Sequence, residues 1–346
     1  MENNSINRVE LLSISEIHPG PITNLFKIAH HLNTFLMAIG TINNMLCFFV
    51  FLNKNLRKRK FNWYLLTVAV FEFIFCLIGF SDYIFTKIHK RKIFLHDLDV
   101  TVYMILNYII HTSDSCVTIL TLLLSIDRLY AIKKPMKIRE FVTNLHAKKT
   151  IGLSLLLLVL LKTLSFAICE LDYNGKAFIL FCSLISPFIF NTMPLVIVLI
   201  INGLLFKEIW YDRRKKSLYA KKLSSDTRSR ECISVLNKGK KSNIEMRIFN
   251  KKETTKSQKS HYIVILVSSI WSILTTIPYY SFNTFYSLFR LNFFSSHFHM
   301  KTIQMIQVIS SVLFNSNHCI NFFIYLSFYS EFRKIIKNSF LKLFSK

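Results

Sequence analysis

Seven runs of apolar residues, each near the ~20 residues that a helix needs to cross a hydrocarbon core, constrain this 346-residue chain more than any other feature. They cover residues 28–52, 62–86, 101–126, 147–169, 178–206, 261–285 and 302–326. Inside a bilayer every backbone N–H and C=O must be satisfied by the chain itself, so spanning segments are helices or strands of a closed barrel. Barrel strands need only about 9–11 residues, and these runs are far longer. The chain therefore reads as an all-α membrane protein, a seven-transmembrane helix bundle. A content of 52% hydrophobic and 18% charged residues is more apolar than one soluble core requires.

The formal charge of +25 invites a nucleic-acid reading, but the cations fall between the apolar runs rather than along one groove with stacking aromatics. Most Lys and Arg lie in the connections 53–61, 129–146 and 207–260 and in the tail after 326. Positive loops stay in the cytoplasm. With seven crossings the N-terminus is then extracellular and the C-terminus cytoplasmic, as expected of a multi-pass plasma-membrane protein. Residues 1–26 show no apolar core of a signal peptide, and Asn3 heads the sequon Asn3-Asn4-Ser5, a glycosylation candidate.

Three parts follow: an extracellular segment 1–26, the bundle 27–326, and 327–346 as an amphipathic helix with a short tail. Within the bundle, 207–260 is rich in Lys, Arg and Ser and lacks an apolar pattern, so it reads as a mobile cytoplasmic loop whose ordered parts extend the flanking helices. After the last run, Phe328, Phe332, Ile335, Ile336, Phe340 and Leu343 recur at helical spacing between Arg333, Lys334, Lys337 and Lys342. That pattern predicts a helix on the inner leaflet, with lipid headgroups as partners.

Polar residues inside the runs carry the functional signal, because a charge at mid-bilayer costs about 2.5–3.5 kcal/mol on insertion scales. Asn44, Glu72, Asn317 and Asn321 sit at similar depth and form a candidate buried network, with a sodium ion near Glu72 as an option. His111 and Asp114 lie in the first half of the third run, where Asp114 either holds a cationic ligand group or bonds to polar residues of the sixth and seventh runs such as Asn283, Gln304 and Gln307. Pro194 and Pro278 are candidate kinks. At the end of the third run, Asp127-Arg128 runs into a basic loop with Pro135, a candidate switch between paired and released states. Of the seven cysteines most lie within runs, where a thiol is a small apolar group. No zinc spacing, phosphate-binding Gly loop or nucleophilic constellation is visible. The sequence points to no cofactor and no enzyme.

Asp127-Arg128, Pro135, Pro194, Pro278 and Asn317-His-Cys-Ile-Asn321-Phe-Phe-Ile-Tyr325 followed by Phe332-Arg333 resemble, in order and spacing, the rhodopsin-like G-protein-coupled receptors. The ending with Phe322, where most members have proline, is similar to invertebrate peptide receptors of the FMRFamide type. The resemblance implies an extracellular ligand, expected to be a neuropeptide, held among spans three, five, six and seven. It also implies a heterotrimeric G protein admitted when span six swings outward. Arg128 would leave Asp127 for that partner, Met136 would insert into it, and Tyr325 would turn towards Arg128.

Departures from the family pattern mark a divergent receptor. Leu129 replaces a tyrosine, Glu72 an aspartate, and Val117 a serine that coordinates sodium. Thr275-Thr276-Ile277-Pro278 puts Thr276, a ligand-pocket candidate, where a tryptophan is usual, and Asn202 stands for a tyrosine. Gln258 occupies an acidic lock position, and the extracellular disulfide has no cysteine pair. Ile110 in place of aspartate argues against a monoamine ligand. A chemosensory receptor for a small molecule, a receptor-derived scaffold and a transporter are the competing readings; the transporter would show broken helices and repeats.

Overall fold

The computed structural model describes residues 21–88, 100–133, 144–171, 185–227, 263–285 and 300–344. Asn3, Pro135, Met136 and Gln258 lie outside these residues. The long helices are α1 (Pro21–Phe51), α2 (Lys60–Ile88), α3 (Val100–Lys133), α4 (Asn144–Leu171), α5 (Met193–Thr227), α6 (Ile263–Phe285) and α7 (Met300–Phe328). A final helix, α8 (Ser330–Phe344), follows directly. Among the described residues there is no strand.

Six of these helices contain stretches long and apolar enough to cross a membrane, from Lys27–Phe51 in α1 to Ile263–Phe285 in α6. The seventh run is the most polar, since α7 carries Ser310, Asn317, His318 and Asn321 on its buried side. Its 29 residues still reach about 43 Å at 1.5 Å per residue. Helix α7 keeps its polar groups inside the bundle, so its average hydropathy understates its fit to lipid.

Local chemistry sets the ends and bends. After α1, the Asn53 side chain accepts the Asn55 N–H at 3.0 Å and starts a one-turn helix, Lys54–Arg57. Its end is closed from α2, where Asn62 Nδ2 donates to the Leu56 carbonyl at 2.7 Å and Trp63 Nε1 to the Arg57 carbonyl at 3.1 Å. Ahead of α5, Phe188–Thr192 forms a π-helical turn in which the Met193 N–H returns to the Phe188 carbonyl. Pro194 follows at once and has no N–H to continue the ladder, so the wide turn absorbs the mismatch. Helix α6 runs through Pro278, and the Thr275 hydroxyl donates to the Trp271 and Ser272 carbonyls at 2.8 and 3.2 Å, a back-bonding that bends helices.

Two apolar clusters fill the bundle. The larger joins α1, α2, α3, α6, α7 and α8 through Phe51, Leu65, Leu120, Ile265, Tyr325 and Phe332. The smaller, built on Met37, Phe75, Tyr280 and Phe314, lies towards the other end. The described cysteines Cys47, Cys76, Cys116 and Cys319 are buried and free.

Gly40 lets α1 approach α2 and α7. A Cβ there would meet Cys76 Sγ at 2.6 Å and Cys319 Sγ at 2.8 Å, and Cys319 Sγ is itself fixed against the Leu36 carbonyl at 2.8 Å. Gly40→Ala is therefore expected to destabilise the fold by about 1–3 kcal/mol, the range for overpacking. The check is a lowered Tm of the purified chain; an unchanged Tm would show that the two sulfurs move aside freely.

Candidate functional site

The third helix presents Thr112, Ser113, Asp114 and Ser115, all buried. Back-bonds from Ser115 Oγ to the His111 carbonyl at 2.9 Å and from Thr118 Oγ1 to the Asp114 carbonyl at 3.2 Å occupy the hydroxyls locally. The Asp114 carboxylate instead reaches across the bundle. Its Oδ2 accepts from the Tyr280 hydroxyl of α6. That hydroxyl accepts from Asn191 Nδ2, in the π turn ahead of α5, at 2.6 Å. From α7, His318 Nε2 stands 3.5 Å from Asp114 Oδ1. The carboxylate thus ties α3 to α6, and through the Tyr280 hydroxyl to the turn ahead of α5, while His318 of α7 faces it without a hydrogen bond among the described residues.

Aromatic stacking holds this hub. His318 stacks on Phe75 with centroids 3.9 Å apart and meets the edge of Phe314 at 5.1 Å. Tyr279 stacks on Phe314 at 4.3 Å. Partners for Asp114 were expected from the sixth and seventh runs, and those the structure gives are Tyr280 and, facing it, His318. Asn283 and Gln307 are partly buried, Gln304 lies in the first turns of α7, and Thr276 is buried with no hydrogen bond to its hydroxyl among the described residues. His111 is exposed, one turn before Asp114 and within electrostatic range of Lys162 of α4.

A second polar layer lies beneath. Asn321 Nδ2 donates to Glu72 Oε1 at 2.5 Å, and Asn321 Oδ1 accepts from Ser268 Oγ of α6 at 2.9 Å. Asn44 serves α7 differently, donating to the His318 carbonyl at 2.7 Å. Asn317 is buried but makes no hydrogen bond to these groups among the described residues. Next to Asn321 a cavity of about 20 Å³, lined by Thr121, Ser268, Ser269 and Tyr325 among others, has the volume of about one water.

At the end of α3 the sequence pairs Asp127 with Arg128, and the structure adds a second cation. Lys60 Nζ, from the first turn of α2, binds Asp127 Oδ1. The Arg128 guanidinium lies 4.5 Å over the Phe61 ring. Around them Arg59 pairs with Glu331 at 2.6 Å, and the Tyr329 hydroxyl donates to Asn62 Oδ1 at 3.0 Å. Burial, with the Glu331 carboxylate adding to it, pushes the Tyr329 phenol above its ordinary value, so it remains a donor. Arg333 closes α7 by donating to the Leu326 and Ser327 carbonyls at 3.0 and 2.5 Å. Tyr325 is packed against Phe51 and Phe332.

The sequence model of the family described as 7 transmembrane receptor (rhodopsin family) matches residues 42–325. The chain belongs to that family. No individually curated protein matches it. A rhodopsin-family receptor is a multi-pass membrane protein of signal transduction, not an enzyme by type, and the matched region runs from α1 to Tyr325 of α7.

Sodium does not fit the residues around Glu72 in this receptor. A hard cation needs several converging oxygens, whereas Val117 is apolar, Asn44 points its amide at the His318 carbonyl, and Asn321 has turned its N–H to Glu72 and its oxygen to Ser268. Sequence reasoning missed Tyr280, Asn191, His318, Lys162 and Lys60. Lys162 was the most visible of them, a single cation inside the apolar run 150–161 to 163–168.

Proposed function

We propose that this receptor binds an extracellular neuropeptide among α3, α5, α6 and α7 and activates a heterotrimeric G protein when α6 moves outward. The observation that carries the reading is the Asp114–Tyr280 hydrogen bond, which joins α3 to α6 just past the Pro278 bend. Thr276 stands where the family's tryptophan is usual, so Tyr280 is the α6 side chain placed to sense a ligand. A ligand that draws Tyr280 from Asp114 loosens α6 from α3 and α5, and it shifts the equilibrium by its differential affinity for the two arrangements. Pro278 and Pro194 supply the flexible points. Below, the Ser268–Asn321–Glu72 chain is the second tie that α6 must release.

In this reading the N-terminus is extracellular and the C-terminus cytoplasmic. Arg128 contacts the G protein, Met136, after Pro135 in the next loop, inserts into it, Tyr325 turns towards Arg128, and α8 rests on the inner leaflet. The full chain in membranes, screened with amidated peptides and with small chemicals, tests it through nucleotide exchange on added G protein. A peptide that drives exchange supports the proposal. Exchange driven by small chemicals alone would assign the receptor to chemosensory detection.

A further inference from the structure

We infer that Lys162, with Ser186 beside it, is an anion-receiving subsite of the ligand pocket and that the ligand presents a carboxylate to it. The inference rests on the proposed ligand position among α3, α5, α6 and α7, extends it to the neighbouring α4, and adds the chemistry that the ligand must carry. Lys162 lies in the second half of α4 and is only 7% exposed. Its ammonium touches the Ser186 hydroxyl at 3.5 Å and lies 4.5 Å over the Phe190 ring. Both partners are neutral. A hydroxyl and an aromatic face orient a cation, but neither neutralises it, and a buried cation without an ion pair is held at a cost.

The groups facing Lys162 from the neighbouring helices are few. From α3 come His111, Asp114 and Cys116, each within electrostatic range, and from the start of the fifth segment come Ser186 and Phe190. Asp114 is the obvious counter-charge. It makes no ion pair with Lys162, because its two oxygens are turned to Tyr280 and His318. The carboxylate and the ammonium thus belong to separate contacts, and among the described residues no acid lies within ion-pair distance of Lys162. His111, one turn before Asp114, is the α3 side chain within electrostatic range of Lys162 that reaches the helix surface. A ligand carboxylate reaching this site would find the ammonium hydrogens not given to Ser186, and the Ser186 hydroxyl, as donors.

The shared chemistry is a carboxylate, whether of a peptide or of a free organic acid. The test uses the purified full chain and two matched probe pairs, octanoate against octanamide and one acidic tetrapeptide with a free against an amidated C-terminus, read as the shift in Tm. At least one acid is expected to raise Tm by about 3 °C at saturation while its amide does not. Lys162→Met should raise the Tm of the unliganded chain, since it removes an uncompensated buried cation, and should abolish the response to acid. Lys162→Arg keeps the cation and should keep part of the response, which guards against misreading a poorly folded Met variant. A response to the tetrapeptide pair alone assigns the carboxylate to a peptide, and one to octanoate alone assigns it to a small acid. Equal shifts with acids and amides, a response that survives Lys162→Met, or no shift with either acid would overturn the inference. This binding readout needs no G protein, so failure of coupling and failure of the subsite are told apart.

Discussion

Arg128→Ala is expected to bring nucleotide exchange on the G protein down to background while surface expression stays at the wild-type level. The structure separates these two effects. Arg128 is partly exposed and lies on the Phe61 ring, a cation–π contact worth about 0.5–1 kcal/mol at such sites. Losing that contact takes little from a fold held by the apolar cluster around Phe51, Leu120 and Phe332, and surface labelling reads any further loss. Coupling is different, because the proposed partner must find a cation at the end of α3. A methyl group supplies none. Arg128→Lys should restore some exchange as a point charge but not all of it, since lysine lacks the planar fork of guanidinium donors. The measurement is exchange in membranes with receptor number matched by surface labelling. Wild-type exchange in Arg128→Ala would remove this residue from the mechanism.

What the sequence discloses of this receptor follows from how strongly each feature is forced. A bilayer accepts few solutions, so apolar runs of helical length lead directly to a bundle. Glu72 and Asp114 stand out for the same reason, since a carboxylate in an apolar run must have interior company. Which company is another matter. Tyr280, Asn191 and His318 look like ordinary packing residues in their runs, because periodicity gives a face of the helix and not the rotation that aims it. Asn44 shows the same limit: it is inside as expected, but it serves a backbone carbonyl of α7 rather than Glu72. Asp127 had an obvious partner in the next residue. Lys60 lies 67 positions away, and only the folded return of α2 brings it near.

That return of α2 leads to the second large effect. Lys60→Met is expected to raise agonist-independent exchange about fivefold, the change that corresponds to about 1 kcal/mol, the upper end for an ion pair of this kind. The side chains of Lys60 and Asp127 are 13% and 16% exposed, so salt screens the pair less than a fully exposed one. Its position matters more than its strength. Lys60 is the residue before Phe61, and Phe61 is the surface on which Arg128 rests. While Lys60 holds Asp127, the ring stays under the guanidinium and keeps it aside from the cleft that α6 would open. Cutting the tie frees both Phe61 and Arg128. Asp127→Asn removes the same contact from the other side and should raise basal exchange by a similar factor. The double variant should then exceed neither single one, because two changes that break one contact are not additive. A fall in basal exchange on Lys60→Met would mean that released Asp127 captures Arg128 instead, and additive effects would mean that the two residues act through separate contacts. Either result would sink the idea that Lys60 restrains the receptor through Asp127.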